Sequence, residues 1–132
     1  MQRLKYIALI CMALLLNASS CKKFNHPENS ILGTWRCFEQ GSLHGYRQYN
    51  VSIDYQGNDS TMIIIYNLYN LGFQVETYAT VQDTIITLIG TNSLDDFSGT
   101  GHIARDLSAI YWQYSYFGNT SDPLIEAAFF RP

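Results

Sequence analysis

From Ile31 to its end the chain alternates between short runs rich in tyrosine, isoleucine and threonine and clusters of turn residues, a rhythm that few folds accommodate. The breaks fall at Gly41-Ser42, Gly57-Asn58-Asp59, Asn70-Leu71-Gly72, Gln82-Asp83, Gly90 through Asp96, Arg105-Asp106 and Gly118 through Pro123. This spacing belongs to consecutive antiparallel strands, and the residues between the breaks suit a pleated, half-buried surface. Period-two patterning gives the runs a dry face and a wet one. Tyr49, Val51, Ile53 and Tyr55 alternate with polar neighbours, as do Phe73, Val75, Thr77, Ala79 and Val81. In a later run Ile110, Trp112, Tyr114 and Tyr116 oppose Tyr111, Gln113, Ser115 and Phe117. Thr61 through Tyr69 is apolar nearly throughout, which predicts cover on both sides.

Eight strands are predicted, at Gly33–Glu39, Gln48–Gln56, Ser60–Tyr69, Phe73–Gln82, Thr84–Ile89, Phe97–Ala104, Ser108–Phe117 and Ile125–Arg131. Hairpin-length connections make the order a meander. A flat meander would leave two open edges, and strand twist tends to curl it shut. Eight strands form the smallest barrel that side chains can fill or that can hold one small ligand. The expected fold is therefore an all-β, eight-stranded antiparallel up-and-down barrel over residues 31–132, with a two-sheet sandwich as the alternative. Gly99 and Gly101 share a face with Phe97 and Ile103, where missing side chains permit sharp coiling or close packing of a large neighbour.

Ile31-Leu32-Gly33-Thr34-Trp35 opens the first strand, and Phe129-Phe130-Arg131 ends the last. A Gly-x-Trp in this place resembles the opening motif of lipocalins and their calycin relatives. The resemblance implies that Gly33 and Trp35 help close one end of the barrel, with Arg131 at the position of the arginine that packs across the tryptophan. More of the chain, in Asn67 to Gly72, Phe97 to Ile103 and Ile110 to Tyr114, looks like small lipocalin-like lipoproteins of Gram-negative bacteria. That likeness spans most of residues 31–132 and implies a fold and a location, with no activity to carry over.

Location is read at the other end. Arg3 and Lys5 precede an apolar run from Tyr6 to Leu16, followed by Asn17-Ala18-Ser19-Ser20 and then Cys21. Positive, apolar and small-residue zones in that order predict a secretory signal over residues 1–20, and the run is too short to span a bilayer. Ala18-Ser19-Ser20-Cys21 resembles the lipobox of bacterial lipoproteins, with alanine where leucine is commoner. The resemblance implies a lipid anchor on Cys21 and, with Lys22 following it, the outer membrane. The cut also suits ordinary signal peptidase. Residues 21–30 are polar and read as a flexible tether.

Chemistry is sparse. With Cys11 in the signal and Cys21 acylated, Cys37 is the one thiol left, and its parity with Trp35 predicts a small buried hydrophobe. His26, His44 and His102 lack metal-ligand spacing. Asp95-Asp96 reads as a solvated turn, and no nucleophile motif appears. Neither an enzyme, a cofactor nor a metal is expected. From Ile31 onward four arginines face ten carboxylates, a balance that excludes a nucleic-acid partner. Two function classes stay open beside the membrane anchor. In one, Tyr49, Val51, Ile53, Trp112 and Tyr114 bind a small apolar or aromatic ligand in the barrel mouth. In the other, the barrel is filled and its outside meets another envelope protein, as an accessory subunit or an inhibitor. Convergence of Phe73, Ile110, Trp112 and Tyr114 would mark a filled barrel. Tyr66, Tyr69, Tyr78, Tyr111 and Phe117 are candidates for an exterior or rim surface, though tyrosine also simply suits strands.

Overall fold

The alternating runs form β1 (Gly33–Gln40), β2 (Arg47–Gln56), β3 (Asp59–Tyr66), β4 (Glu76–Gln82), β5 (Ile85–Thr91), β6 (Asp96–Ile103), β7 (Ala109–Phe117) and β8 (Ser121–Phe130). These assignments come from a computed structural model that describes residues 30–132; the predicted signal, Cys21, His26 and the tether up to residue 29 lie outside the described residues. Each strand pairs antiparallel with the next, and β1 pairs with β8 from Arg36↔Phe130 to Gln40↔Glu126, so the sheet closes into an up-and-down barrel. Closure removes both edges. The sandwich alternative is thereby excluded.

Period two decides what is inside. Trp35, Cys37, Tyr49, Val51, Ile53, Ile63, Ile65, Ala79, Ile86, Phe97, Ile110, Trp112, Tyr114, Ile125 and Phe129 are buried in one core. Gly101 is needed there: a Cβ on it would stand 2.8 Å from the Trp112 indole, which packs directly on its backbone.

The lower end, where the described chain begins, is shut by Trp35. Its Nε1 donates to the Ile31 carbonyl at 2.8 Å, and the Arg131 guanidinium lies 3.8 Å from the indole centroid. Arg131 also donates to the Leu32 carbonyl at 2.9 Å and to the Ser30 carbonyl. Gly33 holds a φ of 105°, a turn that side chains rarely adopt, which explains the glycine two residues before the tryptophan.

Four local expectations need correction. β3 stops at Tyr66, because Asn67, Tyr69 and Asn70 have φ of 66°, 58° and 56° and break the extended chain into a short 3-10 turn. β3 is not covered on both sides: Ile63 and Ile65 are fully buried, while Met62, Ile64 and Tyr66 are half-buried on the outside. β4 begins at Glu76, leaving Phe73 in the preceding loop and 54% exposed. β8 begins at Ser121, earlier than expected, because a bulge lets it pair past Pro123: Tyr114 faces Ile125 and Tyr116 faces Asp122. The extra residue reverses parity and turns Asp122 inward.

Candidate functional site

All five residues expected to line a ligand cavity, Tyr49, Val51, Ile53, Trp112 and Tyr114, face the interior and are at most 6% exposed. They pack against other interior rings: Trp112 lies 5.3 Å from the Phe129 ring, and Tyr114 lies 5.7 Å from Phe97. Ile110 joins them, whereas Phe73 does not.

The upper end, opposite Trp35, carries a buried polar cluster. Glu39 follows Trp35 and Cys37 on the inward face of β1 and is 1% exposed. A carboxylate there needs partners on every side, and it has them. Arg47 donates to its Oε1 from Nε at 2.8 Å, and its Nη2 lies 2.7 Å from the same oxygen as an ion pair. The Tyr49 hydroxyl donates to Oε2 at 2.5 Å, and the Tyr114 hydroxyl donates to the same oxygen. Burial, with the nearby carboxylate, pushes the Tyr114 and Tyr49 hydroxyls well above the usual phenol range, so both remain donors. Burial also lifts the Cys37 thiol to about 12, aided by Glu39, so this cysteine stays an inert thiol.

Asp122, brought in by the bulge, is fully buried and accepts from the Tyr69 hydroxyl and the Ser42 amide, each at 2.7 Å. Burial would raise its carboxyl, but the Tyr69 hydroxyl and the Ser42 and Leu43 amides outweigh that and hold it below 3.8. His44, in the β1–β2 loop, places Nε2 3.3 Å from Glu39 and 3.7 Å from Asp122. With the carboxylates already taken by arginine, tyrosines and amides, no group of three such side chains among the described residues is arranged to hold a metal ion.

Tyr69 seals the cluster. A candidate for an exterior or rim surface, it is instead buried, and its backbone is left-handed with a φ of 58°. The ring stacks on Tyr116 at 4.4 Å, lies 5.2 Å from His44, and has the Arg47 guanidinium 4.5 Å from its centroid. Arg47 also donates to the Tyr69 carbonyl at 2.9 Å. A non-glycine residue held in this conformation stores strain that its contacts must offset. Asn67 braces the loop, donating to the Asn50 carbonyl and accepting from the Gly72 amide, both at 2.7 Å.

Hollows lie on the outer face instead. β8 presents small or polar residues outward, Glu126 and Ala128, between β1 and β7. Register sets Phe38 and Tyr111 on either side of Ala128, and Gln40 and Gln113 on either side of Glu126. Phe130 caps the Ala128 end, edge-on to Phe38 at 5.6 Å and to Tyr111 at 6.1 Å. One hollow of about 490 Å³ runs from Glu126 across Gln113 and Tyr111 to Thr100 and His102. Two smaller ones, of about 270 and 280 Å³, continue from Glu126 past Phe38 and Tyr46 and past Gln40 and Leu124. Glu126 borders all three, so they form one furrow along β8.

Tyr111 and Phe117 are exposed as expected, and Tyr66 and Tyr78 are half-buried. His102 is exposed on the side opposite Gly101, and it lines the furrow. Asp96 is solvated, but Asp95 is half-buried and accepts from the Tyr116 hydroxyl at 2.5 Å. Sequence reasoning assigned no role to Glu39, His44, Arg47, Asp122 or Glu126. Parity could have found the first and third, since an acid and a base stand on inward positions of neighbouring strands. Comparison with known protein families and with curated proteins finds no match.

Proposed function

We propose that this chain is an outer-membrane lipoprotein, anchored through a diacylglyceryl group on Cys21, whose filled lipocalin-like barrel is an interaction module for another envelope protein. The observation that supports this reading is the interior. The positions that would hold an apolar ligand are occupied by Trp112, Tyr114 and their neighbours, and Tyr69 covers the mouth. The open volume is outside, along β8. On this reading the barrel is not an enzyme, because its two buried carboxylates are saturated and sealed from substrate.

The protein purified from membranes and weighed intact under native conditions is expected to carry an acyl-modified N-terminus and no further small molecule. A stoichiometric lipid or aromatic compound released only on unfolding would restore the ligand-carrier reading. Each buried methylene of an anchor contributes about 0.8 kcal/mol, so Cys21→Ala is expected to block processing and release the chain from the membrane. Normal maturation with retained membrane fractionation would remove the lipoprotein assignment.

A further inference from the structure

We propose that the furrow on β8 receives an extended segment of a partner protein by seating one lysine or arginine side chain, its charge against Glu126 and its methylene stem over Ala128 between Phe38 and Tyr111. The proposal rests on the interaction reading above and gives it a chemistry.

Charge points to the occupant. The barrel's buried acids are answered from within, Glu39 by Arg47 and Asp122 by Tyr69 and backbone amides. Glu126 stands exposed in the furrow, and the arginines that carry contacts are spent elsewhere. Arg36 donates to Asn50 and Gln48, and Arg131 covers Trp35. Arg105 sits in the β6–β7 connection, on the turn next to the lower end. Four arginines against ten carboxylates from Ile31 onward leave the surface acidic, which favours a basic partner and speeds its approach.

The walls point the same way. An ammonium or guanidinium is attracted to an aromatic face and gains more as water is excluded. Tyr111 is 52% exposed and Phe130 38% exposed, and with Phe38 they surround Ala128 on three sides. The fourth side opens to the carboxylate. An aliphatic stem needs an apolar floor with a charge at its end, and Ala128 beside Glu126 supplies both.

A peptide fits better than a free amine because the hollows run in series through Glu126, with Gln40, Gln113 and Thr100 along them to meet backbone groups. It cannot join as a ninth strand at Glu126 and Ala128, since β8 is paired there with both β1 and β7. Recognition must come through inserted side chains.

The test uses the mature lipoprotein in detergent and two acetylated, amidated peptides, Thr-Val-Lys-Val-Thr and the same sequence with norleucine for lysine. Binding is followed by NMR with isotope-labelled protein. The lysine peptide is expected to shift the signals of Ala128, Tyr111 and Glu126, to weaken as salt is raised, and to bind ~5-fold or more tightly than the norleucine peptide. Glu126→Gln, an exposed and isosteric change, is expected to erase that preference while leaving the melting temperature unchanged. Equal binding of both peptides, an undiminished preference in Glu126→Gln, or shifts confined to another face would overturn the proposal. So would n-butylammonium binding as tightly as the lysine peptide. A photo-crosslinker at Ala128 in cells separates the two levels. An envelope protein trapped there, with the amount trapped unchanged by Glu126→Gln, would sink the charge recognition and leave the interaction reading standing. An interior ligand found by native mass measurement would sink the interaction reading itself.

Discussion

Replacing Glu39 with glutamine asks whether the mouth of the barrel is as dry as its geometry implies. Glu39 accepts one hydrogen bond from the Arg47 guanidinium, with which it is ion-paired, and one from each of two tyrosine hydroxyls. The amide keeps the shape, removes the charge and converts one acceptor oxygen into a donor. That donor faces either the Arg47 fork, which has nothing to accept with, or two hydroxyls that must turn round. Removing one partner of a buried ion pair costs about 3–5 kcal/mol; the Arg47 side chain is 29% exposed and recovers some hydration, which brings the expectation to about 2–4 kcal/mol. The measurement is a urea titration followed by tryptophan fluorescence, in which the midpoint should fall with an unchanged slope. Pairing Glu39→Gln with Arg47→Gln should recover ~1 kcal/mol or more against the sum of the single changes, because contacting residues are not additive. A loss below ~1 kcal/mol for Glu39→Gln, with an additive cycle, would mean that water already reaches the cluster and that Tyr69 does not seal it.

At the opposite end, Trp35→Ala should cost about 3–5 kcal/mol as a fully buried aromatic is lost, and Arg131→Lys much less, through loss of the planar fork. An additive double-mutant cycle would show that the guanidinium stacking contributes nothing to closure. Stability should also fall away on both sides of neutral pH. Asp122 and Asp95 are held below 3.8, Asp95 by the Tyr116 and Ser93 hydroxyls, so the unfolded chain takes up their protons first, and the stability they supply is full above 3.8 and fades as pH drops further. Cys37 is raised from 9.0 to about 12, so its contribution is full below 9.0 and is lost as pH rises towards 12. Melting temperatures across that range check both limbs; a protein that melts higher as acid is added below 3.8, or whose folded Cys37 alkylates at neutral pH, would contradict the burial described for these groups.

The barrel was legible because its signal is redundant. Seven connections, eight alternating runs and a glycine before the first tryptophan all demand the same closure, and an error of a few residues at a strand end does not change it. The interior lining was legible for the same reason: Tyr49 and Trp112 carry their facing in their parity. What escaped depends on single departures from the repeat. One extra residue near Pro123 reverses the side of Asp122, and three left-handed residues after Tyr66 fold Tyr69 inward, although composition alone continued the apolar run through them. The furrow was invisible because it is defined by what neighbours β8. Ala128 and Glu126 are unremarkable in sequence, and only closure of β1 onto β8 puts Phe38 beside them.

That same seam sets how the molecule would bear tension. β1 begins beside Ser30, where an anchored tether would pull, and pairs with β8 through five successive residues, ending where Gln40 faces Glu126. A partner gripping the furrow would hold β8 near the far end of the seam. Force between membrane and partner would therefore run lengthwise along the two strands. The ladder would be sheared as a unit, all of its hydrogen bonds strained together, rather than peeled open one rung at a time. The clasp of Arg131 on Trp35, at the end where the pull enters, would be the first contact to feel it.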